Sequence, residues 1–234
     1  RNDEVVIRSS DLRKGRGAYD LTEMRQHGIN GRFTTTVEEA VRDMLGRSGN
    51  TAYRVLAREL ADRHGMGESV GELLNERYFA LGFPRTNVIP RVASAEIGLT
   101  TPEEVMKQLS AIEDAAAEHG SQSLAATAWH ALSIDNSRGN GLRRFVLPNG
   151  YDLLSKSAEY NGDENDPHVY RHEAGNLILG DDRVIKYCFM TQSRSRHPVH
   201  RLTTEMALAR ATSEVAKYAN FELPRFLGLR ALVG

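Results

Sequence analysis

Lys186 and Glu205 are the pair in this sequence best placed to do chemistry. Lys186 lies in the run VIKYCFM (184–190), where Val184, Lys186 and Cys188 alternate with Ile185, Tyr187 and Phe189. One face of such a strand is usually buried, and a lysine held there needs a carboxylate or a phosphate to offset its desolvation. Glu205 stands early in the amphipathic segment that follows, on the side that carries Leu208, Ala209, Thr212, Ala216 and Ala219. That apolar side is expected to pack on a sheet, whereas Glu214 joins Arg210 and Lys217 on the polar side. A plainer reading stands beside this one and is the commoner: a solvent-facing lysine, and a glutamate that serves only the helix dipole.

Three further groups have reactive or binding character. The link QSRSRHPVHR (192–201) gathers Arg194, Arg196 and Arg201 with His197 and His200, a basic stretch that suits a phosphate or an acidic partner, or simply a solvated loop. Gly139-Asn140-Gly141 precedes a strand-like run, and Lys156 ends the next, giving a G-x-G ahead of a strand lysine; a lone G-x-G is more often only a turn. His168 and His172 are four apart but lack a carboxylate at ligand spacing, so no metal site is expected. No G-x-S-x-G, P-loop or H-E-x-x-H motif occurs.

Composition narrows the classes. Thirty basic against 31 acidic residues give a net charge of −1, so no global field points to nucleic acid or to a membrane surface. With 40% hydrophobic and 26% charged residues, the composition is that of a soluble globular protein. The single Cys188 excludes an internal disulfide and favours the cytoplasm or another reducing compartment. No apolar run reaches the roughly 20 residues of a membrane-spanning helix. Arg1 opens the chain without an initiator methionine and LRALVG closes it inside an apolar run, so both ends read as cut, whether by processing or as part of a longer protein.

The elements that must position these residues follow in order. EVVIRSS (4–10) is a short strand and DLRKGRGAYD a glycine-broken loop. Phe33, Val37, Ala40, Val41 and Met44 share one helical face, with Thr34 to Thr36 as candidate caps. A second helix is expected from Asn50 to His64 and a third from about Ser69, so residues 1–83 read as a strand and a helical bundle. Residues 84–100 read as a linker or crossing segment. Thr101-Pro102-Glu103-Glu104 is a capping box with proline at N1; its helix runs to His119, and another spans about Ser123 to Leu132.

Beyond Ser133 the period changes to that of strands. RRFVL and YDLLSKS flank the turn Pro148-Asn149-Gly150, and Asn176–Leu179 can pair with Arg183–Phe189 across Gly180-Asp181-Asp182. A long helix and a final strand, ELPRFLGL (222–229), complete residues 101–234, either as a unit of their own or as one domain with 1–83. The expected fold class is α+β: an N-terminal helical bundle, then a mostly antiparallel sheet with one long packed helix.

The order VIKY, then a helix with Glu205, then ELPRFLGL resembles the small lobe of protein kinases and aminoglycoside-type phosphotransferases over about 60 residues. The resemblance implies a nucleotide-binding lobe in which Lys186 contacts phosphates and pairs with Glu205, with ATP and magnesium as cofactors. The implied lobe is not catalytically complete, since no G-x-G-x-x-G precedes the lysine strand and the catalytic residues stay unassigned. Two alternatives stay open. One is a non-catalytic structural or interaction subunit with a protein partner or self-assembly. The other is a mono-ADP-ribosyltransferase-like enzyme, suggested by Arg8 in VVIRSS and by Ser155-Lys156-Ser157.

Overall fold

The computed structural model describes residues 3–13, 17–26, 33–65, 70–89, 97–134, 152–160, 168–179 and 183–193, with 206–207, 210–211 and 214–215. The chain divides into two compact units, 1–135 and 136–234. The fold is α+β.

The first unit begins with strand β1 (Glu4–Ile7), paired antiparallel with β2 (Phe33–Thr36) in the register Val5↔Thr35 and Ile7↔Phe33. Val5 and Ile7 are buried with Val55, and Tyr19, Phe33 and Val37 pack around them. Phe33 therefore does not open the helical stripe expected from the sequence. Three consecutive threonines, β-branched and stiff at χ1, favour extended backbone, and the helix starts only after them. Between the strands lies the short helix α1 (Leu21–Gln26).

Helix α2 (Val37–Gly46) opens on a complete capping box. Thr36 Oγ1 accepts the Glu39 N–H at 3.1 Å, and Glu39 Oε2 accepts the Thr36 N–H at 3.4 Å. Helix α3 (Asn50–Arg63) follows after a three-residue turn, then α4 (Val70–Ala80). Within 84–100 two three-residue strands, β3 (Asn87–Ile89) and β4 (Ile97–Leu99), pair antiparallel. Helix α5 (Pro102–His119) packs on α6 (Leu124–Ala131), and α2 packs on both α3 and α6.

At the start of α5, Thr101 Oγ1 accepts the Glu104 N–H at 3.3 Å as expected, but Glu104 does not reach back. Its buried carboxylate instead accepts the Arg85 N–H at 2.9 and 3.1 Å and the Thr86 hydroxyl at 2.6 Å. Three contacts to Arg85 and Thr86 replace the single return bond of a capping box, and they tie the preceding loop to α5.

Arg58 on α3 ties the start of the chain to the helices. Its guanidinium donates to both oxygens of Asp11 (3.2 and 3.1 Å), to the Val6 carbonyl, and to Glu59 Oε1 at 2.8 Å. Asp11 also accepts the Arg8 N–H at 2.8 Å. The Arg58 and Asp11 side chains are 17% and 6% exposed, so each would strand the other on removal.

The second unit is an antiparallel meander: β5 (Asp152–Tyr160), β6 (Val169–Ile178) and β7 (Val184–Ser193), in that order. Leu153, Leu177, Leu179 and Tyr187 form its core, with Ile185, Phe189 and Val215 against them. The β6–β7 hairpin has the expected pairing, Ile178 opposite Val184, with the Leu179 N–H donated to the Arg183 carbonyl at 2.9 Å. It continues far past the expected length, to Val169 opposite Ser193. Gly175 permits the close approach of β5: a Cβ there would stand 2.3 Å from the Leu154 carbonyl oxygen. Arg171, 1% exposed, donates to the carbonyls of Tyr160 and Tyr170 and pairs with Glu159 at 3.1 Å. The hairpin across 148–150, most of the helix after residue 200 and the strand 222–229 lie outside the described residues. Among the described residues, no helix is long and apolar enough to cross a membrane.

Replacing Arg58 with alanine leaves Asp11 buried without its cation. The expected loss is about 3 kcal/mol of unfolding free energy in urea titrations, well above the effect of an exposed arginine.

Candidate functional site

Lys186 is exposed on β7. Ile185, Tyr187 and Phe189 turn to the core, so the intervening position faces the other way and the expected desolvation of the lysine does not arise. Glu205, Arg194, Arg196 and Arg201 lie outside the described residues, as does Gly139-Asn140-Gly141. Arg8 is exposed and sits just past β1 at a 3-10 turn. Lys156, half-buried on β5, donates to the Ser157 carbonyl at 2.6 Å. His172 Nδ1 accepts the Thr191 N–H at 3.2 Å, and burial holds its imidazole below the usual range, a cross-strand role rather than a ligand's. Cys188 is half-buried, and burial pushes its thiol up to about 11.

The feature that sequence reasoning passed over is the turn between α2 and α3, Arg47-Ser48-Gly49, with Asn50 opening α3. Ser48 has φ +59°, and no other non-glycine residue among those described has a positive φ. Helices commonly end on such a left-handed residue, but glycine or asparagine usually takes it. A serine there carries a cost of about 1–2 kcal/mol. The Asp43 carbonyl holds the reversal by accepting the N–H groups of Arg47 and Gly49, both at 3.0 Å.

Asp43 also contributes its side chain. Oδ1 accepts the Ala18 N–H at 2.6 Å, and the Arg47 guanidinium stands 3.9 Å from the same oxygen. Oδ2 is buried and has no hydrogen-bond partner among the described residues. Gly17 and Gly49 close over it, for a Cβ on either would come within 2.4 and 2.0 Å of that oxygen. Burial raises the Asp43 carboxyl above its ordinary 3.8, against the opposing effects of the Ala18 N–H and Arg47.

A cavity of about 250 Å³ opens beside this carboxylate, lined by Tyr19, Glu39, Arg42, Asp43, Arg47 and Ile134 among others. Two of its lining residues are linked through a threonine behind them: Tyr19 Oη lies 2.7 Å from Thr35 Oγ1, which donates to Glu39 Oε2 at 2.9 Å. Arg42 and Arg47, both more than half exposed, stand among its lining residues. The turn thus offers a hydroxyl and a carboxamide at a fixed helix junction, next to a cavity with cationic and hydroxyl groups. Such groups can hold a polar acyl compound and pass a proton.

The sequence matches the family model Beta-lactamase2, described as the beta-lactamase enzyme family, over residues 1–219. Comparison with curated proteins gave no match. Solved structures with the same fold include a class A beta-lactamase from Bacteroides cellulosilyticus DSM 14838, at 16% identity and TM-score 0.65, covering 94% of this chain and 74% of the other. The TLA-1 extended-spectrum beta-lactamase matches at 14% and 0.66, covering 93% and 75%. A mutant of PBP-A, in an acyl-enzyme complex with penicillin G, matches at 14% and 0.62, covering 92% and 72%.

These findings overturn the kinase-like reading. The nucleotide-binding lobe, with Lys186 and Glu205 as its phosphate-binding pair, is replaced by a fold whose family match spans both of those residues and most of the chain. The interaction-subunit and ribosyltransferase alternatives have no support either. The expectation of ATP with magnesium rested on the same resemblance and is not carried forward.

Class A beta-lactamases and penicillin-binding proteins use three short motifs, S-x-x-K, S-D-N and K-T-G. Ser48-Gly49-Asn50 matches the second with glycine at its centre, and Lys156-Ser157-Ala158 on β5 approximates the third. No S-x-x-K occurs in the 234 residues. The signal available in the sequence was S-G-N at a helix junction, three residues in which only two match.

Two outcomes test this geometry in unfolding titrations. Ser48→Gly should be more stable than Ser48→Ala by about 1 kcal/mol, because both lose the hydroxyl and only alanine keeps the φ penalty. The raised Asp43 carboxyl means that the folded state holds its proton more tightly than the unfolded chain. Its contribution to stability is therefore present below about pH 4 and lost as pH rises through the raised value. Asp43→Asn, which keeps an acceptor for Ala18, should flatten the decline that begins above about pH 4.

Proposed function

The chain belongs to the beta-lactamase enzyme family, and on that premise we propose that it recognises β-lactam-type acyl compounds. The observation that carries the reading is Ser48-Gly49-Asn50, with Ser48 kept in a strained left-handed conformation at the α2–α3 junction. Strain of this kind clusters where a side chain is held for use. The serine hydroxyl both donates and accepts, as needed to hydrogen-bond the polar groups of a lactam. Asn50 supplies a carbonyl and an NH2, the complement of a substrate amide.

The serine acylated in this class of enzymes heads the S-x-x-K tetrad, which no serine of this sequence heads. Reversible binding, not covalent labelling, is therefore the measurement for the chain. Isothermal titration with penicillin G should show saturable heat. Asn50→Ala should weaken it by about tenfold, the loss of one or two directed hydrogen bonds. Lys186→Ala should leave it unchanged. No heat from the wild type, or equal effects of Asn50→Ala and Lys186→Ala, would defeat the proposal.

A further inference from the structure

The central position of Ser48-Gly49-Asn50 lacks the carboxylate of S-D-N, and the structure shows where a carboxylate stands instead. A Cβ built on Gly49 falls 2.0 Å from Asp43 Oδ2 and 2.8 Å from Asp43 Cγ. The carboxyl group of Asp43, arriving from α2, thus occupies the volume that an aspartate side chain at position 49 would fill. The group is 3% exposed, its Oδ1 is bonded to the Ala18 N–H, and its Oδ2 has no hydrogen-bond partner among the described residues. Gly17 presses on the same place: a Cβ there would stand 2.4 Å from Oδ2 and 2.7 Å from the Gly49 Cα. Asp43 thus joins the two segments, its carboxylate accepting the Ala18 N–H and its main-chain carbonyl the N–H groups of Arg47 and Gly49.

We propose that Asp43 is the positioning residue that stands in for the aspartate of S-D-N. Its carboxylate enters from the preceding helix, and Gly49 is glycine because that space is taken. The positioning role rests on the lactam-recognition reading of Ser48 and Asn50; the exchange of positions rests on the geometry alone. Asp43 contacts no ligand in this assignment. It fixes the turn on which Ser48 and Asn50 are carried.

A four-protein cycle on the full chain tests it: wild type, Asp43→Ala, Gly49→Asp, and the double variant. Unfolding midpoints and the Kd for penicillin G are measured on each, well below the unfolding temperature. Gly49→Asp alone places two carboxyl groups in one space, and Asp43→Ala alone empties it. Each single variant should lower the urea midpoint and weaken penicillin G by about tenfold, and the double should recover to within about threefold of the wild type. Recovery of folded protein only in the double variant counts the same way if a single one fails to fold. Asp43→Asn, which keeps the shape, should bind within about threefold of the wild type.

Additive losses in both measurements would overturn the exchange. Recovery of stability with one Kd for all folded variants would make Asp43 scaffold only and overturn the positioning role. If the wild type itself ignores penicillin G, the lactam reading and the positioning role both fall. The exchange is then decided by the stability cycle alone, where additivity refutes it and recovery sustains it.

Discussion

The reversal between α2 and α3 is the constraint on which the first unit depends. Two helices that pack on each other are joined through Arg47, Ser48 and Gly49, so the chain must turn sharply and still satisfy the carbonyls at the end of α2. One residue solves much of this. The Asp43 carbonyl takes two N–H groups from the turn, and its side chain takes a third from Ala18, 25 residues away. The small size of Gly46, which abuts Ile134 and the Ala131 carbonyl, lets α6 pack beside the same junction. The helix pair, the α6 contact and the loop before α1 therefore meet at a single place.

The same device recurs elsewhere in the unit. Carboxylates are turned inward to serve backbone N–H groups that no ladder or helix satisfies: Asp11 for Arg8, Glu104 for Arg85, Asp43 for Ala18. Each is charge-assisted and stronger than a neutral hydrogen bond, and each joins segments distant in sequence or closes a local turn. Asp11 adds a guanidinium partner, which offsets its burial. Among the described residues Asp43 has only the Arg47 guanidinium as a cationic neighbour, at 3.9 Å, and burial raises its carboxyl. The contrast marks Asp43 as the anchor least satisfied by its surroundings.

Much of the fold was legible because its signals are local. The caps of α2, α5 and α6 rest on Thr36, Thr101 and Ser123, each within three residues of the N–H it accepts. Glycine breaks and the β6–β7 pairing are equally local. What the sequence concealed is non-local. Alternation in VIKYCFM shows two faces without showing which one meets Leu153 and Leu177, since Val184 and Cys188 are as apolar as the residues opposite them. Lys186 was assigned to the wrong side for that reason. Serine rarely adopts positive φ, so nothing in the letter at 48 announces the conformation. The part played by Asp43 depends on Ala18, Gly17 and Gly49 arriving together, which no spacing rule encodes. The order strand-lysine, helix-glutamate, strand is shared by unrelated folds, and order without a diagnostic loop misidentified the family.

Local costs are not spread evenly over the unit, and their distribution bears on what the turn is for. Ser48 sits in a conformation that glycine would hold more cheaply, and Asp43 keeps a buried oxygen without a hydrogen bond among the described residues. Both lie within six residues. The first turns of α2, by contrast, have a complete capping box and a Glu38–Arg42 pair at 2.6 Å. A sequence free to relax would exchange Ser48 for glycine and so remove the φ penalty, yet a serine stands there, beside an Asp43 whose Oδ1 holds the Ala18 N–H. Keeping the two together leaves a hydroxyl and a carboxamide fixed on a short, rigid turn between two packed helices. Rigid placement of polar groups at the expense of local stability is what a recognition site requires and what a mere connection between helices does not.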